Sequence, residues 1–290
     1  MLFDTTPPRY LPHMQQPDIL SMGLQPQGGD QWIETDPLLP HFHQHKLQQR
    51  RLLGDHCFHA LGGSEAAALE LAETLQDYLL REQPQWYHKS ETGLVFSPCN
   101  LALSPAVEEP LWDCSLWVAD DLLLMQEIDG AYRLTAASLC SPSDWRLEDK
   151  IGRSQAAIHQ RIPGFEQTLT PKVERFLSHL RSDHPAIRWN WSLQATNALC
   201  ARPPRAEVVA AETPLFYRCE RQCLKRLPRS GAVVFSIRVY LHALDTLHNI
   251  QGALPALFRA IEATPPALAN YKGFNRLAPA LRKYQPARDA

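Results

Sequence analysis

The chain has 290 residues, 44% of them hydrophobic, and a formal net charge of -2: enough to bury one sizeable core, and too acidic for a general nucleic-acid binder. No apolar run reaches the ~18 residues of a membrane span, and Met1-Leu2-Phe3-Asp4 opens without the basic start and apolar core of a signal peptide. The seven cysteines, an odd number without zinc-site spacing, fit reduced thiols, so a cytoplasmic globular protein with no nucleic acid and no membrane among its partners is expected.

The Pro-, Gln- and Gly-rich first forty residues, anchored by Met22-Gly23-Leu24 and Trp32, read as an extended arm packed on the body. Ala68, Leu71, Leu75, Tyr78 and Leu79 then share one helical face, with Ser64 placed as N-cap. Leu122–Met125 and Tyr132–Thr135 flank Asp129-Gly130, a strong hairpin signal. Ser143 is expected to start a pair of short helical turns that Gly152 separates. Thr170-Pro171 opens a helix whose buried stripe is Val173, Phe176, Leu177 and Leu180. Three strands follow: Arg188–Ser192, Leu215–Leu224 and Ala232–Leu241, the last two joined by the turn Pro228–Gly231. A last amphipathic helix carries Leu247, Ile250, Leu254, Leu257, Phe258 and Ile261 and stops at Pro265-Pro266. The pattern is α+β: an antiparallel sheet with flanking helices, an N-terminal arm and a C-terminal helix packed on it.

Phosphate-binding, dinucleotide, nucleophile-elbow and zinc-helix motifs are absent, and Cys219 and Cys223 lack the second half of a metal site. Redox work would therefore need another cofactor or outside electrons. His159 ends a short helical segment of small residues, where an imidazole is either structural or an axial ligand that a flat macrocycle can approach. His41, His43 and His45 have metal-capable spacing, but Pro40 and the neighbouring Gln residues suggest a solvated loop. Arg218, Arg221, Lys225, Arg226 and Arg229 are either a propionate-binding set or a solvated strand edge. Glu220, among them, could pair with these cations or receive an ammonium substrate. Trp189 and Trp191 point to one side of a strand, as core or as a flat wall beside a cofactor.

Ser141-Pro142-Ser143-Asp144-Trp145, then Lys150-Ile151-Gly152-Arg153 and Ile158-His159, resemble the signature segment of the haem-dependent oxidative N-demethylase α-subunit family. Glu220 to Val233 is the most distinctive further block, followed by Ile237-Arg238-x-Tyr240 and Tyr271-Lys272-Gly273, so the likeness runs from about Met22 to Gly273. Cys223 and the Gln160-Arg161-Ile162-Pro163 run depart from the family pattern. The resemblance implies one PAS-like domain, with an N-terminal arm and helical wrap over 1–85, a core over 86–242 and a C-terminal helix and tail over 243–290. It implies haem b with His159 on the iron, and Lys150, Arg153, Arg221, Arg226, Arg229, Arg238 and Trp191 around the cofactor. It further implies an oxidoreductase in which Glu220 holds a small methylated amine, oxidised with O2 to formaldehyde and the demethylated amine. Electrons would come from a reductase subunit carrying FMN and a 2Fe-2S centre and using NADPH. A non-catalytic haem-PAS sensor or binding protein is the alternative reading.

Overall fold

The Asp129-Gly130 dipeptide turns one strand back on the next, and both residues take positive φ, 52° and 73°, as a two-residue hairpin loop of primed type requires. Around that hairpin the computed structural model describes residues 7–15, 22–26, 31–164, 169–202 and 208–285; residues 1–6, read above for a leader, lie outside these. The main sheet contains β1 Gln25–Pro26, β2 Phe58–Ala60, β6 Asp121–Ile128, β7 Ala131–Ser138, β8 Ala186–Gln194, β9 Phe216–Arg226 and β10 Val233–Ala243. Its spatial order is β1-β8-β9-β10-β6-β7-β2, with every pairing antiparallel. A second antiparallel sheet joins β3 Tyr87–Ser90, β4 Gly93–Phe96 and β5 Leu101–Leu103. The helices are α1 Pro12–Gln15, α2 Leu39–Leu53, α3 Glu65–Glu82, α4 Pro110–Ser115, α5 Gln155–His159, α6 Thr170–His179, α7 Ala253–Glu262, α8 Pro266–Tyr271 and α9 Phe274–Leu281. The α+β antiparallel architecture is as expected.

The five residues expected on one face of α3 are all buried. Ser64 stands at its N-cap position without capping; its hydroxyl donates to the Leu61 carbonyl at 2.6 Å, and the Glu65 carboxylate takes the Gly63 N–H instead. The three alternating histidines lie on α2, not on a solvated loop, because Pro40 sits in its opening turn, where a missing N–H costs nothing. His43 and His45 bond to the Leu116 and Cys140 carbonyls, and no group of three metal-ligating side chains exists among the described residues. Ser143 starts no helix. Residues 141–146 are irregular, a 3₁₀ turn covers Leu147–Asp149, and Gly152 at φ 77° separates it from α5, which Ser154 caps. At the other end, Pro265-Pro266 does close α7, but Pro266 also opens α8. Among the described residues three helices therefore follow β10 where one was expected, and Leu247 and Ile250 precede α7.

Strand register sorts the side chains onto two faces. Arg188, Gln222, Ile237 and Asp121 form one row across β8, β9, β10 and β6, with Asn190, Glu220 and Val239 in the next. Trp189, Arg221 and Arg238 form the intervening row on the opposite face. That opposite face receives the arm: Trp32 and Ile33 are buried, Arg221 donates to the carbonyls of Gln31 and Trp32, and Arg238 pairs with Asp36 at 2.6 Å. Arg238 is 1% exposed and Asp36 22%, so breaking the pair falls at the low end of the cost for a buried ion pair. Arg238→Gln should lower unfolding free energy by about 3 kcal/mol in urea titrations. A variant with the wild-type midpoint would show that the arm is held without this pair.

Candidate functional site

The face of β8 and β9 opposite the arm opens on a cavity of about 770 Å³, within the ~300–1,000 Å³ usual for small-molecule and cofactor pockets. Among the described residues, Arg188, Asn190, Glu220 and Gln222 give it a polar floor, and Phe235 and Ile237 an apolar one. One wall is the irregular segment carrying Ser141 to Trp145, with His159, Ile162 and Leu169. Leu268 of α8, Lys272 at its exit and Arg276 of α9 make another.

The floor is wired through Arg218 and Glu220, two residues apart on β9 and therefore on one face. Arg218 donates from Nε to Glu220 Oε1 at 2.8 Å, from Nη1 to the Leu199 carbonyl at 3.0 Å, and from Nη2 to the Ser141 carbonyl. Glu220 Oε2 accepts from Asn190 at 3.1 Å and Gln222 at 2.9 Å. Burial pushes the Glu220 carboxyl up, but the Arg218 charge and these hydrogen bonds outweigh it and hold the group below its ordinary value, ionised. Lys272 donates to Asn190 Oδ1 and to the Trp191 carbonyl, both at 3.1 Å. The Asn190 amide thus relays Lys272 to Glu220, and its two ends have complementary partners. Burial draws Lys272 down to about 8 against the pull of Glu220.

His159 enters from the end of α5. Its Nδ1 lies 2.9 Å from the Gln155 carbonyl and 3.3 Å from the Gln155 amide nitrogen. The shorter contact to an obligate acceptor puts the proton on Nδ1 and the lone pair on Nε2. Burial, with the Arg188 and Lys150 charges, lowers the imidazole to about 4 against the Gln155 hydrogen bond, so it is neutral near pH 7. The Trp145 ring packs edge-on against it at 5.8 Å.

Residues 23–282 match the family described as haem-dependent oxidative N-demethylase, alpha subunit-like. The chain belongs to that family. Its description names a haem-dependent enzyme and an alpha subunit, which implies haem and partner subunits. No helix among the described residues is long and apolar enough to cross a membrane.

Of the residues read from the sequence, the structure brings His159, Arg218 and Glu220 together on the cavity. Lys150 lies beside it, in an adjoining hollow, donating to the Ile158 carbonyl at 2.6 Å with its ammonium 5.6 Å from the Trp145 ring centre. Arg153 is exposed on the preceding turn. Arg221 and Arg238 are under the arm. Arg226 donates to the carbonyls of Leu177, Leu180 and Gly231 and to the Tyr132 hydroxyl, fastening the end of α6. Arg229 pairs with Glu70 and Glu73 of α3. Trp191 is in the core, stacked between Tyr217 and Phe274. Arg188, Asn190, Gln222 and Lys272 are among the cavity residues that escaped the sequence reading. The alternation Arg188-Trp189-Asn190-Trp191 held the signal for two of them, since placing both indoles on one face puts the polar pair on the other.

The neutral imidazole has a measurable signature. An ordinary histidine titrates near 6.5 and His159 near 4. Between those values the unfolded chain binds the proton first, so the stabilisation is complete above about pH 6.5 and is lost as pH falls toward 4. It amounts to at most about 3 kcal/mol. Urea midpoints of His159→Gln should therefore fall less steeply than wild type across that window. Parallel curves would mean that His159 titrates normally.

Proposed function

We propose that this chain is the haem-bearing, amine-oxidising subunit of an oxidative N-demethylase, with His159 as the iron ligand and Glu220 as the residue that receives the ammonium of a small N-methylated amine. The observation that carries the reading is His159: a neutral imidazole on a cavity wall, with Nδ1–H committed to a backbone carbonyl, is the tautomer that ligates through Nε2. The residues present fit haem in two further respects. Trp145, Leu139, Leu169, Phe235 and Ile237 offer the apolar surface a macrocycle needs, and the buried Nε of Arg188 has no hydrogen-bond partner among the described residues. The hairpin β6-β7, the helical passage over α5 and α6, and the meander β8-β9-β10 support the PAS-like reading of the scaffold. Bound there, haem would supply the iron that activates dioxygen with electrons delivered from outside.

The chain's own residues bind and orient the amine. An ionised carboxylate has about four acceptor positions. Three of those on Glu220 are taken by Arg218, Asn190 and Gln222, which leaves room for about one N–H of an ammonium and so restricts how the amine can turn. The apolar floor at Phe235 and Ile237 excludes water from the methyl side. No dinucleotide fingerprint or iron–sulfur cysteine set is present in the sequence, in keeping with FMN, a 2Fe-2S centre and NADPH residing on a partner.

Protein expressed with adequate iron should show a Soret band that His159→Ala abolishes or strongly shifts while the far-ultraviolet circular dichroism is retained. A mutant with the wild-type haem spectrum would remove His159 from the iron. Glu220→Gln should keep the haem and weaken the amine-induced spectral change about ten- to a hundred-fold, the worth of a charge-assisted hydrogen bond of ~1.5–3 kcal/mol. An unaltered amine titration would take Glu220 out of the site.

The chain alone with NADPH and dimethylamine should give no formaldehyde, and a suitable reductase should permit turnover. Haem binding without turnover by any reductase would favour the sensor reading.

A further inference from the structure

Arg188 leaves β8 on the cavity floor, beside Gln222 and diagonal to Glu220. The side chain is half-buried and lines the cavity. Among the described residues its buried Nε has no hydrogen-bond partner and its guanidinium makes no ion pair. Glu220 attracts it without touching it, and Glu220 is already engaged by Arg218. A guanidinium held in protein without a contacting anion is costly, and its fork matches the two oxygens of a carboxylate.

We propose that Arg188 is the seat of a carboxylate inside the cavity. Two carboxylates have the right chemistry: a propionate of haem, and the carboxylate of an N-methylated amino acid whose ammonium sits on Glu220. Diagonal neighbours on antiparallel strands stand roughly 7–8 Å apart. Two side chains of this length can close on an amino-acid zwitterion across that spacing. The propionate source rests on the haem reading; the amino-acid source does not.

The test uses the full chain as wild type, Arg188→Gln and Arg188→Lys, each checked for its fold by circular dichroism. In the first arm, protein freed of haem is titrated with protohaem and with protohaem dimethyl ester, whose propionates are capped. If a propionate is the ligand, Arg188→Gln weakens protohaem at least tenfold and leaves the ester unchanged. In the second arm, N,N-dimethylglycine and dimethylamine are titrated by calorimetry. If a substrate carboxylate is the ligand, Arg188→Gln weakens N,N-dimethylglycine at least tenfold, leaves dimethylamine unchanged, and Arg188→Lys recovers part of the loss. Equal affinities for wild type and Arg188→Gln in both arms overturn the proposal.

Should Arg188→Gln not fold, wild type alone decides. Protohaem must outbind its dimethyl ester, or N,N-dimethylglycine its methyl ester, at least tenfold; equality in both pairs overturns the proposal. A wild-type chain that takes up no haem defeats the haem reading, while the second arm still reads Arg188.

Discussion

The cavity depends on one buried guanidinium. Arg218 is 1% exposed, and each arm of its fork reaches a different part of the chain: Glu220 on its own strand, the Leu199 carbonyl, and the Ser141 carbonyl. A lysine could not do this, because a single ammonium has neither the planar spread nor the five fixed donors. Asp121, on β6 two strands away, completes the hold by accepting the N–H groups of Cys140 and Ser141 at 3.0 and 2.8 Å. Ser141 is thus gripped at its N–H by one sheet charge and at its carbonyl by another. The irregular segment that follows, with Trp145 and eventually His159, leaves the sheet from a fixed point. The Pro142 carbonyl then accepts the Ala201 N–H at 2.9 Å, which ties the next loop to the same point.

Local signals survived the passage from sequence to structure; signals that depend on partners did not. Asp129-Gly130 and Thr170-Pro171 act within a few residues, so the hairpin and the start of α6 were readable from the sequence. The stripe of α3 was readable for the same reason: five apolar positions of one period bury together. The second sheet was not, because its strands are three or four residues long and carry too little alternation to stand out. Pro265-Pro266 was read as an end when the second proline also makes a beginning, since fixed φ suits the first turn of a helix as well as it breaks an interior one.

The cations show the same division more sharply. Arg218, Arg221, Lys225, Arg226 and Arg229 look like one cluster in the sequence, yet they reach separate destinations. Arg218 faces the cavity and Arg221 the arm, because an odd spacing in a strand always means opposite faces. Arg226 lies at the strand end and meets α6, and Arg229 lies in the turn and meets α3. Period two, applied to β9 as to the tryptophans of β8, splits the cluster on sequence spacing alone. What it cannot supply is which face holds the cavity. That follows only from where the arm and the irregular wall dock.

The same small set of positive charges explains why two groups of opposite kind are both in a useful state. Arg188 and Lys150 discourage a second proton on His159, which burial already disfavours, so the imidazole keeps its lone pair. Arg218 and Lys272 act in the opposite sense on Glu220, whose burial alone would favour protonation, and keep it an anion. A neutral base and an ionised carboxylate on one cavity at neutral pH thus need no separate devices. They need cations on the floor in excess of the anions they contact, within a chain whose formal net charge is -2. Arg188 is where that excess is left, and the fold tolerates it because the guanidinium opens on the cavity and is not sealed in the core.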